Sequence, residues 1–306
     1  MKEKTLPFIS VIIPVFNNAQ GLALCIQALK LQSYNRDRFE VIVVDNGSQD
    51  FDQIKQVSAT WATVQLVSEQ KPGSYAARNR GLELAKGEII AFTDSDCLPT
   101  PDWLKNGVSH LQTVNNCGEV VGKVDLFLVN PQRPSMVELY EQLTALKQDK
   151  MLHQLHGGAT ANVFTWKRVI NHVGKFNCAL KSSGDLEWGR RVYAAGYVQV
   201  YAEDTVVRHP TRSTFQELRK RSIRLSGGGY GLCMQPHDSF IQKQKMFGRL
   251  MLDETVQAVK FMTSLLRNSE IRGYMVKLKL IALNFYIRFI SAREKVRLKL
   301  GGNPTR

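Results

Sequence analysis

The stretch AFTDSDCLPTPDW, residues 91–103, sets two carboxylates, Asp94 and Asp96, one residue apart at the end of an apolar run. In an extended backbone, side chains two positions apart point the same way, so the pair is expected to face one crevice. Close carboxylates repel unless a cation or ribose hydroxyls lie between them. Hard divalent ions such as Mg2+ or Mn2+ take oxygen ligands and are commonly held by one or two carboxylates together with a substrate's phosphates. The same spacing also arises in a plain polar loop, here one in which Pro99, Pro101 and a helix start at Asp102 end the strand.

The elements that would position this pair are legible as short apolar runs alternating with helix-length patterns. FISVIIPV (8–15), FEVIVVD (39–45), TVQLV (63–67) and EIIAFTD (88–94) are β-branched and nearly continuous, as strands covered on both faces are. Helical stretches lie between them, including 22–32 and 74–87, the latter expected to close at Gly87. Strand–helix–strand alternation predicts an α/β fold with a mostly parallel, Rossmann-like sheet and helices on both faces. In such sheets ligands bind beyond the carboxyl ends of the strands. Polar groups collect there: Asn17 and Asn18, then Asp45 to Ser48, then Asp94 to Asp96.

The chain of 306 residues is 43% hydrophobic and 22% charged, in the range of globular proteins. Its five cysteines have no CxxC spacing, which points to free thiols in a reducing cytoplasm rather than disulfides or zinc. No run reaches the roughly 18–20 apolar residues of a spanning helix. The +14 formal charge is unevenly placed: residues 1–206 balance 21 Lys/Arg against 21 Asp/Glu, while residues 207–306 hold 20 against 6. A neutral body with a basic extension suits a partner or surface that is anionic.

The ordered series ISVIIPVFNN, EVIVVDNGSQD, GSYAARNRGLELAKGEIIAFTDSDCLPTPDWL, GKFNCALKSSGDLEWGRRVYAAGY and VVRHP resembles the family 2 glycosyltransferases over roughly residues 8–210. The resemblance implies a GT-A fold, a nucleotide-diphosphate sugar donor (a UDP-sugar favoured) and a glycan or lipid-linked acceptor. It implies that Asp45 contacts the base and that Val15, Phe16 and Asn17 line the nucleotide pocket. Arg78 matches a basic residue near the nucleotide, Asp94 a ribose or metal contact, Asp96 the ligand of an Mg2+ or Mn2+ ion, and His209 the histidine that completes the metal site. Within SSGDLEWGRR (182–191), Asp185 corresponds to the general base, and Glu187 is expected to orient an acceptor hydroxyl or to pair with Arg190 or Arg191. This cluster departs from the family pattern: Gly184 stands where a Glu is common, and Glu187 replaces an Asp.

The division expected is a catalytic domain over 1–212 and a basic helical extension over 213–306. Within the extension, GGGYG (227–231) reads as a hinge after a helix over 214–226, with Arg219, Arg221 or Arg224 as candidates to reach the diphosphate. Ile271, Tyr274, Met275, Leu278, Ile281, Phe285 and Phe289 form the apolar stripe of an amphipathic helix. Two readings of that stripe stay open: an anionic membrane surface, which would make the protein peripheral on the inner face of the plasma membrane, or a protein face, on the core or in a homo-oligomer.

The reading is an inverting, metal-dependent hexosyl or glycosyl transferase of polysaccharide or glycolipid synthesis. A sugar-phosphate nucleotidyltransferase would carry a Gly-rich, Arg-containing loop after the first strand, where this chain has PVFNNAQG. A non-catalytic nucleotide-sugar or glycan-binding scaffold would have no reason to keep Asp94, Asp96, Asp185 and His209 together. Nucleic acid is not expected as a partner, because the basic residues carry no recognisable reader motif.

Overall fold

The computed structural model describes residues 6–234 and 239–304; the charged first residues of the chain lie outside them. Contacts divide the chain into two units. One comprises residues up to Phe127 with Leu146–Ala179 and Gly184–Pro210; the other comprises Leu128–Ala145, Leu180–Ser183 and the chain from Thr211 on. The segment Leu128–Ala145, which the sequence reading had included in 1–212, thus belongs with the C-terminal helices.

The first unit runs β1 (Ile9–Val15), α1 (Ala19–Lys30), β2 (Phe39–Asp45), α2 (Phe51–Ala59), β3 (Val64–Ser68), α3 (Ser74–Leu84), β4 (Ile89–Thr93), β5 (Leu98–Pro99), α4 (Trp103–Thr113) and β6 (Cys117–Phe127). After α5 (Met136–Thr144), which belongs to the second unit, come α6 (Gln148–Leu155), β7 (Asn162–Trp166), α7 (Lys167–Val173), α8 (Gly184–Ala194) and β8 (Val198–Pro210). The eight strands form one sheet in the order β3-β2-β1-β4-β7-β6-β8-β5. The first four pair in parallel, as do β6 and β8, while β7 is antiparallel to both its neighbours and β5 runs antiparallel to β8.

Odd-numbered residues of β1 (Ile9, Val11, Ile13, Val15) share a core with Leu22, Ile26 and Leu29 of α1, Ile54 of α2, and Trp103 and Leu104 of α4. On the opposite face α3 approaches so closely that a Cβ at Gly81 would lie 2.5 Å from the Ile12 side chain. Covering both faces is what makes these strands continuous apolar runs. The sheet leaves β2 on one side of β1 and β4 on the other, so the switch of strand order falls between β1 and β4. Their carboxyl ends carry Asn17 and Asp94.

The end of α3 differs from the one expected at Gly87. Helix α3 ends at Leu84, capped by Ala85, and Gly87 instead donates its N–H to Ser10 Oγ in the link to β4 (2.8 Å). The stretch 157–168 contains β7, a buried strand paired with β4 and β6. Buried polar groups masked it: Asn162 accepts from Trp103 Nε1 (2.9 Å) and donates to the carbonyls of Lys123 and Thr205 (both 2.8 Å).

The second unit gathers α5, α9 (Phe215–Cys233), α10 (Phe240–Arg267) and α11 (Tyr274–Lys299) around Val137, Tyr140, Leu218, Leu265, Leu280 and Ile287. Capping boxes at Ser135, Thr214 and Ser239 start the first three of these helices. The expected hinge at 227–231 is not one: α9 runs through it without a break. Gly228 serves a close approach, since a Cβ there would stand 2.7 Å from the Ser182 carbonyl oxygen.

Candidate active site

The turn after β4 departs from the extended geometry expected of it. Cys97 N–H donates to the Asp94 carbonyl (3.1 Å), so residues 94–97 form a turn and the two aspartates take different partners. Asp94 Oδ1 accepts from Arg78 Nη2 at 2.5 Å; the arginine is buried on α3. Asp96 Oδ2 lies 3.5 Å from His209 Nε2, and the histidine is buried near the end of β8. Arg78 thus gives Asp94 a cationic partner, which offsets part of the repulsion that the bare spacing implies, while Asp96 turns toward His209.

His209 Nδ1 stands 2.7 Å from the Pro210 carbonyl. A carbonyl only accepts, so Nδ1 carries the proton and Nε2 turns its lone pair toward Asp96. One carboxylate oxygen and one imidazole nitrogen make a donor set open to a divalent cation such as Mn2+, with the carboxylate the better donor for Mg2+. Cys97 Sγ falls within the same 4.8 Å cluster, but its thiol is buried and burial drives its pKa well above the ordinary thiol value. A neutral thiol is a poor ligand, so the residues fit a hard cation held by Asp96 and His209.

On the β1–β2 side, the loops are tied to each other. Asn17 adopts a left-handed conformation (φ 51°). Its N–H donates to Ser48 Oγ (2.9 Å) and its Oδ1 accepts from Gln49 N–H (2.7 Å). The buried Asp45 closes β2, its carboxylate accepting from the backbone of Gly47 (3.1 Å) and Ser48 (3.3 Å), so it shapes its own turn. Val15 is buried with its carbonyl accepting from Asn46 N–H, whereas the Phe16 side chain is about half exposed. Asn18 bridges the strand switch by donating to Ser95 Oγ (3.1 Å).

Asp185 lies in the first turn of α8. Its Oδ1 accepts from Tyr75 Oη (3.2 Å) and from Leu186 N–H (3.0 Å). Burial pushes its carboxyl above the ordinary carboxylate range, and Arg78, the Leu186 N–H and the Tyr75 hydroxyl pull the other way without cancelling that effect. Arg78 thus acts electrostatically on both Asp94 and Asp185. Glu187, one of the two candidate acids of this cluster, forms a two-point ion pair with Arg191 (2.8 and 3.0 Å), and Arg191 also holds the carbonyls of Val173 and Lys175. That is the pairing alternative of the two expected for it.

Tyr75 escaped the sequence reading. It is the second residue of α3, three before Arg78, a spacing that puts both on one helix face and was the available signal. Its hydroxyl also accepts from Gly184 N–H (2.8 Å), and a Cβ at Gly184 would come within 2.8 Å of its ring. The Tyr75 ring therefore leaves no room for a side chain at position 184. Of the candidate diphosphate contacts, Arg221 is committed to the second unit, where it and Arg212 flank the buried Glu141 (3.5 and 3.2 Å).

Residues 10–174 match the model of glycosyl transferase family 2. Glycosyltransferase AglE of Haloferax volcanii is 37% identical over 227 residues, 73% of either chain. A pre-mycofactocin glycosyltransferase of Mycobacterium tuberculosis is 27% identical over 244 residues, which span 75% of this chain and 48% of that one. In fold, a mannosyltransferase from Pyrobaculum calidifontis, solved with GDP-Man and Mn2+, superposes with a TM-score of 0.58 at 18% identity, covering 98% of this chain and 78% of that one. With its GT-A architecture and its family match over more than half its length, the chain belongs to glycosyl transferase family 2.

Proposed function

We propose that the protein moves a sugar from a nucleotide-diphosphate sugar to a hydroxyl of a glycan or lipid-linked acceptor, with inversion and with Mg2+ or Mn2+ at Asp96 and His209. The observation that carries this reading is the shared arginine: Arg78 pairs with Asp94 and acts on Asp185, so the donor-side cluster and the base belong to one site. An acceptor hydroxyl is a weak nucleophile at neutral pH, and Asp185 takes its proton as attack proceeds. Its raised affinity for protons suits that task, and Tyr75 with the Leu186 N–H fixes the oxygen that faces them. When held by Asp96 and His209, the cation supplies charge stabilisation to the departing diphosphate. Val15, Phe16, Asn17 and Asp45 form the nucleotide side, and Glu187 supports α8 through Arg191. The basic C-terminal helices favour a peripheral position on the cytoplasmic face of a membrane, in a polysaccharide or glycolipid pathway.

Hydrolysis of a panel of UDP-, GDP- and dTDP-sugars, with and without Mn2+, tests the reading. Metal-dependent release of nucleotide diphosphate from one donor, UDP-sugars being tried first, is the expected result. Tight donor binding with no turnover would favour the scaffold alternative.

A further inference from the structure

Helix α11 is apolar on two opposite sides. One side carries Leu280, Ile287, Ile290 and Leu298, buried in the second unit together with Asn284, whose Oδ1 accepts from Tyr140 Oη (3.1 Å). The other side carries Met275, Leu278, Phe285 and Phe289; Met275 and Phe289 are each 63% exposed. These recur at intervals of three, seven and four residues, so they form one stripe along about four turns. An apolar helix side is ordinarily covered by a partner, so the two sides of α11 call for two partners. The interior of the second unit supplies one of them.

The charges around the outer stripe indicate the other. Lys279 and Arg293 are exposed beside it, and Arg272 lies just ahead of the helix. The sole acid of α11, Glu294, is buried and accepts from Arg297 at 2.6 Å, so the outer face is apolar and positive only. A second copy presenting the same face would meet it with like charge. An anionic bilayer matches both features, with apolar side chains entering the headgroup boundary and basic ones reaching the phosphates. No helix among the described residues is long and apolar enough to cross a membrane, so the contact would lie in the plane of the surface.

We infer that the outer face of α11, centred on Leu278, Phe285 and Phe289 and flanked by Lys279 and Arg293, docks the protein on an anionic lipid surface. This rests on the membrane-peripheral reading above and names the surface that performs it.

The test is flotation of the full chain with phosphatidylcholine vesicles that do or do not contain phosphatidylglycerol. Binding is expected only with the anionic lipid and should weaken with salt. Phe285→Ser/Phe289→Ser and Lys279→Glu/Arg293→Glu should each lower it by at least about tenfold. All four side chains are exposed, Phe285 at 43%, so a thermal unfolding curve close to the parent's is expected and separates docking from misfolding. Binding that ignores lipid charge, or that both double variants retain, would overturn the inference. So would a dimer in solution that Phe285→Ser/Phe289→Ser splits, which would make the face a subunit contact. Donor hydrolysis without vesicles is read in parallel: turnover with no vesicle binding defeats only the docking, and vesicle binding with no turnover supports it while defeating the transferase reading.

Discussion

The Tyr75 hydroxyl stands between two neighbouring groups of α8, accepting from Gly184 N–H at 2.8 Å and donating to Asp185 Oδ1 at 3.2 Å. Tyr75 and Asp185 are 110 positions apart in the chain. The ring that places this hydroxyl also stacks on Phe176, with centroids 5.8 Å apart. The proposed base is therefore fixed from α3, the helix that also supplies Arg78.

Asp185→Asn preserves volume and removes the proton acceptor. Turnover should fall by about 10²–10⁴-fold while donor affinity stays near that of the parent. Steady-state kinetics with calorimetric donor binding measure both, and full activity in the variant would move the base elsewhere. Glu187→Gln should cost the chemical step far less, because its carboxylate is spent on Arg191.

Tyr75→Phe removes a donor that favours the charged form of Asp185. The Asp185 pKa is already above the ordinary carboxylate range, and losing this bond raises it further. The acid limb of kcat/KM should consequently move to higher pH. An unshifted limb would show that the contact does not reach the reacting state.

Asp96→Ala and His209→Ala should each abolish the dependence of nucleotide-diphosphate binding on Mn2+. Turnover should drop by about 10³-fold, the equivalent of several kcal/mol of lost charge stabilisation. Isothermal titration with Mn2+ and with EDTA checks this, and metal-independent turnover in the parent would contradict it.

Gly184→Ala should destabilise the fold by about 1–3 kcal/mol, because the added methyl meets the Tyr75 ring. In a Tyr75→Ala background the penalty should largely vanish. Denaturant unfolding of the four proteins in that cycle gives the coupling, and additive effects would refute the clash.

Glu119 on β6 is fully buried; its Oε2 accepts from Gln199 Nε2 at 2.5 Å and its Oε1 has no hydrogen-bond partner. Burial, with a smaller push from Asp185, raises its pKa to about 8. The folded state thus binds a proton that the unfolded chain releases near pH 4.5. Its contribution to stability is complete below about pH 4.5 and is lost as pH rises through about 8. Relative to Glu119→Gln, the parent should lose stability across that window by at most about 1.4 kcal/mol per pH unit. Denaturant titrations over the pH series test it, and a constant difference would mean that Glu119 is ionised in the fold.

The sequence by itself determined the four parallel strands and where their polar ends lie. Of these, β1, β2 and β4 are covered on both faces, so burial writes itself into a local apolar run that any reading recovers, while β3 at the sheet edge is only partly buried. It also carried the motif series of the family, and with it Asp94, Asp96, Asp185 and His209 as the candidate acids and histidine of the proposed site. Tertiary structure decided what these groups touch. Asp94 and Asp96 part company because a turn replaces extended backbone, and a ring from α3 takes the space that Gly184 leaves. Strands β6 to β8 stayed hidden because their buried positions include Glu119, Asn162 and Thr205, satisfied wholly or in part by partners tens of residues away. The stripe read in α11 fell mostly on its outer face, while the covered side holds Asn284, Glu294 and Lys295. Periodicity reports that a face is apolar; only the packed chain decides which apolar face meets protein, because polar groups that find partners can be buried in its place.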